Sequence, residues 1–103
     1  MLLLLVVLGC RTKTTNTGNT SNIKTDGANG TSYDNMIVIQ AQNEFAGVRA
    51  ENQWLEENYP GYQSIQQSVT KYNGKPVDIF KIKTKEGKTL EIYFDISSFF
   101  GKI

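Results

Sequence analysis

The chain opens on an unbroken apolar run, Leu2 to Leu8, that ends in Gly9 and Cys10. From Arg11 to about Tyr33 it is threonine, asparagine, glycine, serine and lysine, with little apolar content to bury. Apolar spacing returns at Met36-Ile37-Val38-Ile39-Gln40, a short β-branched stretch that predicts a strand. Glu44 to Asn58 then carries Val48, Leu55 and Tyr59 at helical spacing, with Ala50 and Trp54 alongside. This predicts an amphipathic helix with Glu51, Glu56 and Glu57 on its wet side. Gly47 should weaken the first turn and delay the start. Pro60-Gly61 ends the helix, because the residue before proline avoids helical angles and glycine permits the turn.

Three further strands are predicted. Tyr62 to Tyr72 places Ile65 and Val69 on one face and Gln66, Ser68 and Thr70 on the other. Asn73-Gly74 signals a two-residue hairpin, since both residues tolerate positive φ. Val77 to about Thr84 follows, with Pro76 at its start, where a missing N–H does least harm. After a turn at Glu86-Gly87, Leu90 to Ile96 alternates: Leu90, Ile92, Phe94 and Ile96 on one side, Glu91, Tyr93 and Asp95 on the other. The C-terminal Phe99-Phe100-Gly101-Lys102-Ile103 should fold back and close one end of the core. The expected class is α+β: one helix packed on a three- to four-stranded antiparallel meander, preceded by a signal peptide and a disordered linker.

The N-terminal run has its own meaning. It is less than half the roughly 20 apolar residues a membrane-spanning helix needs. Residues 1–9 read instead as a lipoprotein signal peptide, with Val7-Leu8-Gly9-Cys10 resembling a lipobox and Cys10 carrying the lipid. A secretory signal normally starts with positive charge, and none precedes Leu2, so the true start is expected upstream of Met1. Two or more acyl chains, at about 0.8 kcal/mol per buried CH₂, anchor a protein stably. Residues 10–34 are then the lipidated cysteine and a flexible linker, too polar to offset the entropy of ordering. Residues 35–103 form the folded domain. The address expected is the bacterial cell envelope, on the outer membrane or the periplasmic face of a membrane.

The order of these elements resembles the PepSY-like family and the related β-lactamase-inhibitor-like domains. The residues that carry the likeness are Tyr59-Pro60-Gly61, the turns at Asn73-Gly74 and Glu86-Gly87, and Ile92-Tyr93-Phe94-Asp95 leading to Gly101-Lys102-Ile103. Phe99-Phe100 before the glycine departs from that pattern. The resemblance implies protein binding or peptidase inhibition rather than catalysis. A cystatin-like variant fits less well, because Gln67-Ser68-Val69-Thr70 lacks the expected hairpin.

Composition narrows the chemistry. The chain has no histidine and one cysteine, so Ser-His and Cys-His nucleophiles, a disulfide within the chain and a cysteine-rich zinc site are excluded. No cofactor or metal is expected. A formal net charge of +1 gives no pull toward nucleic acid. Glu56 and Glu57 point about 100° apart on a helix and do not converge. Asp78, Glu91 and Asp95 could share one sheet surface. Lys81, Lys83 and Lys85 alternate and should share a strand face, with Lys88 nearby; they suit an acidic partner, a lipid headgroup or a guarded sheet edge. Tyr72 and Tyr93 should lie on the sheet face opposite the helix. The expected binding surface is therefore Tyr72, Lys81, Lys83, Lys85 and Tyr93. The function expected is a non-catalytic binding or inhibitor module with a protein partner in the envelope, held to the membrane through Cys10. A structural or accessory subunit is the second reading, and an enzyme the third.

Overall fold

The computed structural model describes residues 21–25 and 27–103. The expected signal peptide, Cys10 and the first part of the linker lie outside the described residues. Strand β1 (Ser21–Lys24) is followed by a short 3-10 turn (Tyr33–Asn35), β2 (Ile37–Ala41), helix α1 (Glu44–Asn58), β3 (Gln63–Tyr72), β4 (Lys75–Lys83) and β5 (Thr89–Asp95). The class is α+β with one helix, as the periodicity predicts.

The sheet departs from the expected meander. It has five strands in the order β1-β2-β5-β4-β3. Two hairpins join β3, β4 and β5 antiparallel, but β2 pairs parallel with β5 through Ile37–Phe94 and Val38–Asp95. Parallel neighbours need a long crossover, and α1 with the β3–β4 hairpin supplies it. The extra strand, β1, comes from the stretch expected to be linker: Ile23 pairs with Ile39, and Asn22 with Gln40. One apolar residue in four gives no strand periodicity; pairing with β2 and packing of Ile23 on the core fix it.

The core lies between α1 and one face of the sheet. Ile37, Ile39, Leu55, Ile82, Ile92 and Phe94 are fully buried. Trp54 meets Phe94 edge-on at 5.6 Å, and Phe94 meets Phe80 in the same way at 5.5 Å. The helix begins at Glu44, where Asn43 caps it by accepting from the Ala46 N–H at 2.9 Å. Gly47 does not delay it. A Cβ there would lie 2.5 Å from ring carbons of Phe99, so glycine is what lets Phe99 close against the helix. The C-terminal segment folds back as expected: Lys102 O accepts from the Glu44 N–H at 2.8 Å, and the Glu44 carboxylate accepts from the Gly101 N–H at 2.7 Å. Ser98 ties the same segment to β2, donating to Ile39 O at 2.9 Å and accepting from Ala41 N at 3.1 Å.

The helix lies closest to β2 and β1. As a result β3 hangs beyond it. Ile65 and Val69 are each 51% exposed, where the alternation predicts a buried face. A bulge between Ser64 and Gln66 also breaks the alternation, so Ile65 has no register partner. Val48, expected on the apolar stripe, is likewise exposed, and Glu51, expected in water, is buried at 0%.

Candidate binding face

The sheet surface facing away from α1 is ordered by strand register. Thr70, Val77 and Asp95 form one row; Ser68, Ile79 and Tyr93 the next; Gln66, Lys81 and Glu91 a third; Gln63, Lys83 and Thr89 a fourth. Tyr72 sits beyond the first row, opposite Lys75. Tyr33 is laid across this end. Its ring stacks on Tyr72 (4.3 Å between centroids, 11° between planes) and meets Tyr93 edge-on at 4.8 Å. Val77, which lies between Tyr72 and Tyr93 in the register, is fully buried despite facing away from the helix. Tyr72 and Tyr93 are therefore brought together, through a third tyrosine from the stretch expected to be linker.

The segment carrying Tyr33 is held by Gly30. Its N–H donates to Asn35 O and its carbonyl accepts from Tyr93 N, both at 2.6 Å. Its φ of +79° and the 2.9 Å from a Cβ to Ile37 Cγ1 both require glycine. The Tyr93 hydroxyl donates to Glu91 Oε1 at 3.1 Å. Loss of solvation, then the Glu91 carboxylate, raises the Tyr93 hydroxyl above its ordinary range.

The lysines separate. Lys81 and Lys83 share the open face, half-buried and exposed respectively. Lys85 does not join them: β4 ends at Lys83, and the Lys85 stem lies against Gly61, 3.4 Å from where a Cβ would be. Of Asp78, Glu91 and Asp95, only the last two share that face. Asp95 pairs with Lys75 at 3.6 Å and accepts from the Ser97 hydroxyl at 2.6 Å. Asp78 pairs in register with Phe94 and so points under the helix.

Asp78 and Glu51 form the unusual chemistry of the domain. Asp78 is 3% exposed and accepts from Gln67 Nε2 on both oxygens, 2.9 Å each. Glu51 comes down from the helix with neither carboxyl oxygen in hydrogen-bond reach of a donor. Burial first, then a hydrogen bond to the Asp78 carboxylate and its negative charge, push Glu51 up to about 10, so it is uncharged at neutral pH and its proton points to Asp78. The only ion pair among the described residues is Lys75–Asp95, so neither acid has a cation at hand. An uncharged acid beside a carboxylate is an acid/base arrangement, but a fully buried Glu51 offers no substrate a path to it. Among the described residues no three acidic, histidine or cysteine side chains converge as metal ligands. Glu51 was legible in one respect: it sits four residues after Gly47 and four before Leu55, inside the stripe that Ala50 and Trp54 define.

The chain matches no protein-family model, no curated protein and no solved structure.

Proposed function

We propose that this chain is an exported lipoprotein of the PepSY-like kind, held at a membrane of the bacterial cell envelope by a lipid on Cys10, whose domain binds a protein and catalyses nothing. The observation that supports binding most directly is the uncovered β3. Ten residues of edge strand are exposed almost throughout, and Ile65 and Val69 stand half in water on it. An exposed strand edge with apolar neighbours invites pairing with another chain, and natural proteins usually cover or charge it. Here a single lysine, Lys71, and one bulge guard it. Against catalysis stand the absence of histidine from the chain and the complete burial of Glu51, the acid of the one acid/base pair. Among the described residues no helix is long and apolar enough to cross a membrane, and anchoring rests on the Cys10 reading alone.

The accessory-subunit reading draws on a second exposed apolar set. Phe45 is 64% and Phe100 51% exposed, and Gly101 and Lys102 bind the helix start beside Phe45. Photo-crosslinking in intact cells separates the two. A crosslinker at position 69 should trap a defined envelope protein, whereas one at position 45 or 100 alone doing so would favour the subunit. Absence of any trapped protein from all three positions would sink the binding reading. The intact mass of the mature protein tests the address: an acylated chain beginning at Cys10 is expected, and an unmodified chain retaining Met1 would refute it.

A further inference from the structure

Three features meet at the uncovered flank. The first is backbone. β3 closes the sheet on one side, so its outer N–H and C=O groups are unpaired by the sheet. Beyond the bulge, Gln66–Tyr72 runs in unbroken register with β4. The second is apolar surface on the helix side that the helix leaves uncovered. Gln67 and Val69 face that side, since they pair with Phe80 and Asp78. On the helix, Val48 shares a stripe with Glu51 and Leu55, at i, i+3 and i+7. Val48 and Val69 are 42% and 51% exposed, so apolar surface on both sides is left unmatched. The third is the floor: two neighbouring buried carboxyl groups without a cation. Gln67, itself exposed, places an amide nitrogen between the Asp78 oxygens, where a cationic N–H donor would bind more strongly.

We propose that the β3 edge takes up an extended peptide segment of a partner as a sixth strand, and that an arginine or lysine on its helix-side face reaches over Val69 to the Asp78–Glu51 pair, displacing the Gln67 amide. The inference rests on the protein-binding reading and names the chemistry of the partner. Strands lie about 4.8 Å apart, so a sixth strand stands about 10 Å from β4, a gap that an extended arginine or lysine and the Asp78 side chain span together. Main-chain pairing supplies affinity, and the side chain that reaches Asp78 supplies selection. A second copy of this chain is the weaker occupant. It would bring Lys71 opposite Val69 only in a register centred on Thr70, which pairs little more than Ser68–Tyr72 with itself.

The test uses the full chain in detergent and a labelled peptide, Thr-Val-Thr-Arg-Thr-Val-Thr, read by fluorescence anisotropy. A counterpart with Gln at the centre and one N-methylated at alternate amides serve as probes. The arginine peptide should bind about tenfold tighter than the glutamine peptide, the scale of one charge-assisted hydrogen bond. Asp78→Asn should reduce that preference to within about twofold, and N-methylation should abolish binding. Should Asp78→Asn fail to fold, Gln67→Ala gives the same information from an exposed position: freeing Asp78 should strengthen the arginine peptide and leave the glutamine peptide unchanged. Equal binding of the two peptides, or undiminished binding of the N-methylated one, overturns the proposal. So does a dimer of the chain alone that Lys71→Gln disperses. Failure of every peptide to bind at about 1 mM overturns it too, while crosslinking from position 69 would still stand for protein binding itself.

Discussion

Replacing Glu51 by glutamine should change how stability depends on pH more than how stable the domain is. In the unfolded chain Glu51 titrates near 4.5, and in the folded domain near 10, because burial and Asp78 disfavour its charge. Between those values the folded state keeps a proton that the unfolded state has released. The contribution of Glu51 is therefore full below about pH 4.5 and falls as pH rises toward 10, by about 1.4 kcal/mol per pH unit. At pH 7 the accumulated cost is about 3 kcal/mol, and at pH 5 it is under about 1 kcal/mol. Glutamine removes the titration but leaves a buried amide, which costs about 1–2 kcal/mol where it finds no partner. Glu51→Gln should be level with or below the wild type at pH 5 and above it by about 1–2 kcal/mol at pH 7, with a wider gap at pH 8.5. The chain is well suited to the measurement. It has no histidine, the side chain whose ordinary titration falls in that range. Its single tryptophan, Trp54, is buried against Phe94 and reports unfolding by fluorescence. Urea midpoints across this range give two lines, one falling and one flat. Parallel lines would refute the reasoning.

Gly47→Ala should destabilise by about 1–3 kcal/mol although alanine is the better helix former by about 1 kcal/mol, because its Cβ would lie 2.5 Å from the Phe99 ring. Phe99→Leu in the same chain should recover part of that loss in urea melts, and no recovery would mean that the strain lies elsewhere. Ser98→Ala removes both hydrogen bonds to β2 and should cost about 1–3 kcal/mol, with faster amide exchange at Ala41 as the local readout. A chain cut to begin at Asn35 loses β1, Gly30 and Tyr33, and should melt well below one that begins at Ser21. Equal melting of the two would restore residue 35 as the domain boundary.

The parts of the fold that were legible are those fixed by neighbours in sequence. The Ala50, Trp54 and Leu55 spacing marks the helix, Pro60-Gly61 ends it, and Asn73-Gly74 sets the β3–β4 hairpin at φ values of +52° and +77°. What was not legible depends on residues distant along the chain. Ile23 has no periodic partners and becomes a strand residue only because Ile39 stands beside it. Tyr33 reads as the last residue of a polar tether until Tyr72 and Tyr93 stand next to each other in space. The parallel pairing of β2 and β5 has no local signature, since its crossover contains a complete hairpin. Of the expected surface, Tyr72, Tyr93, Lys81 and Lys83 do share a face, while Lys85 leaves it because the strand ends two residues earlier.

Glu51 bears on function because its burial weakens the free domain at neutral pH. At the same position a leucine would fill the site without a proton to hold, and by the linkage above the domain would be more stable at pH 7. Neither carboxyl oxygen caps a helix, bridges strands or meets a cation. A group that weakens the free domain has its use in another state, and the position of Glu51 says which. It lies where the covered core ends and the uncovered β4–β3 flank begins, beside the one buried carboxylate that an exposed side chain, Gln67, reaches. A cation arriving there would favour the charged form of Glu51 and reverse the penalty, so that part of the stability given up in the free domain returns as affinity in the complex. The same argument makes the wild-type acid, and not a more stable replacement, the residue expected at a site that selects a basic side chain.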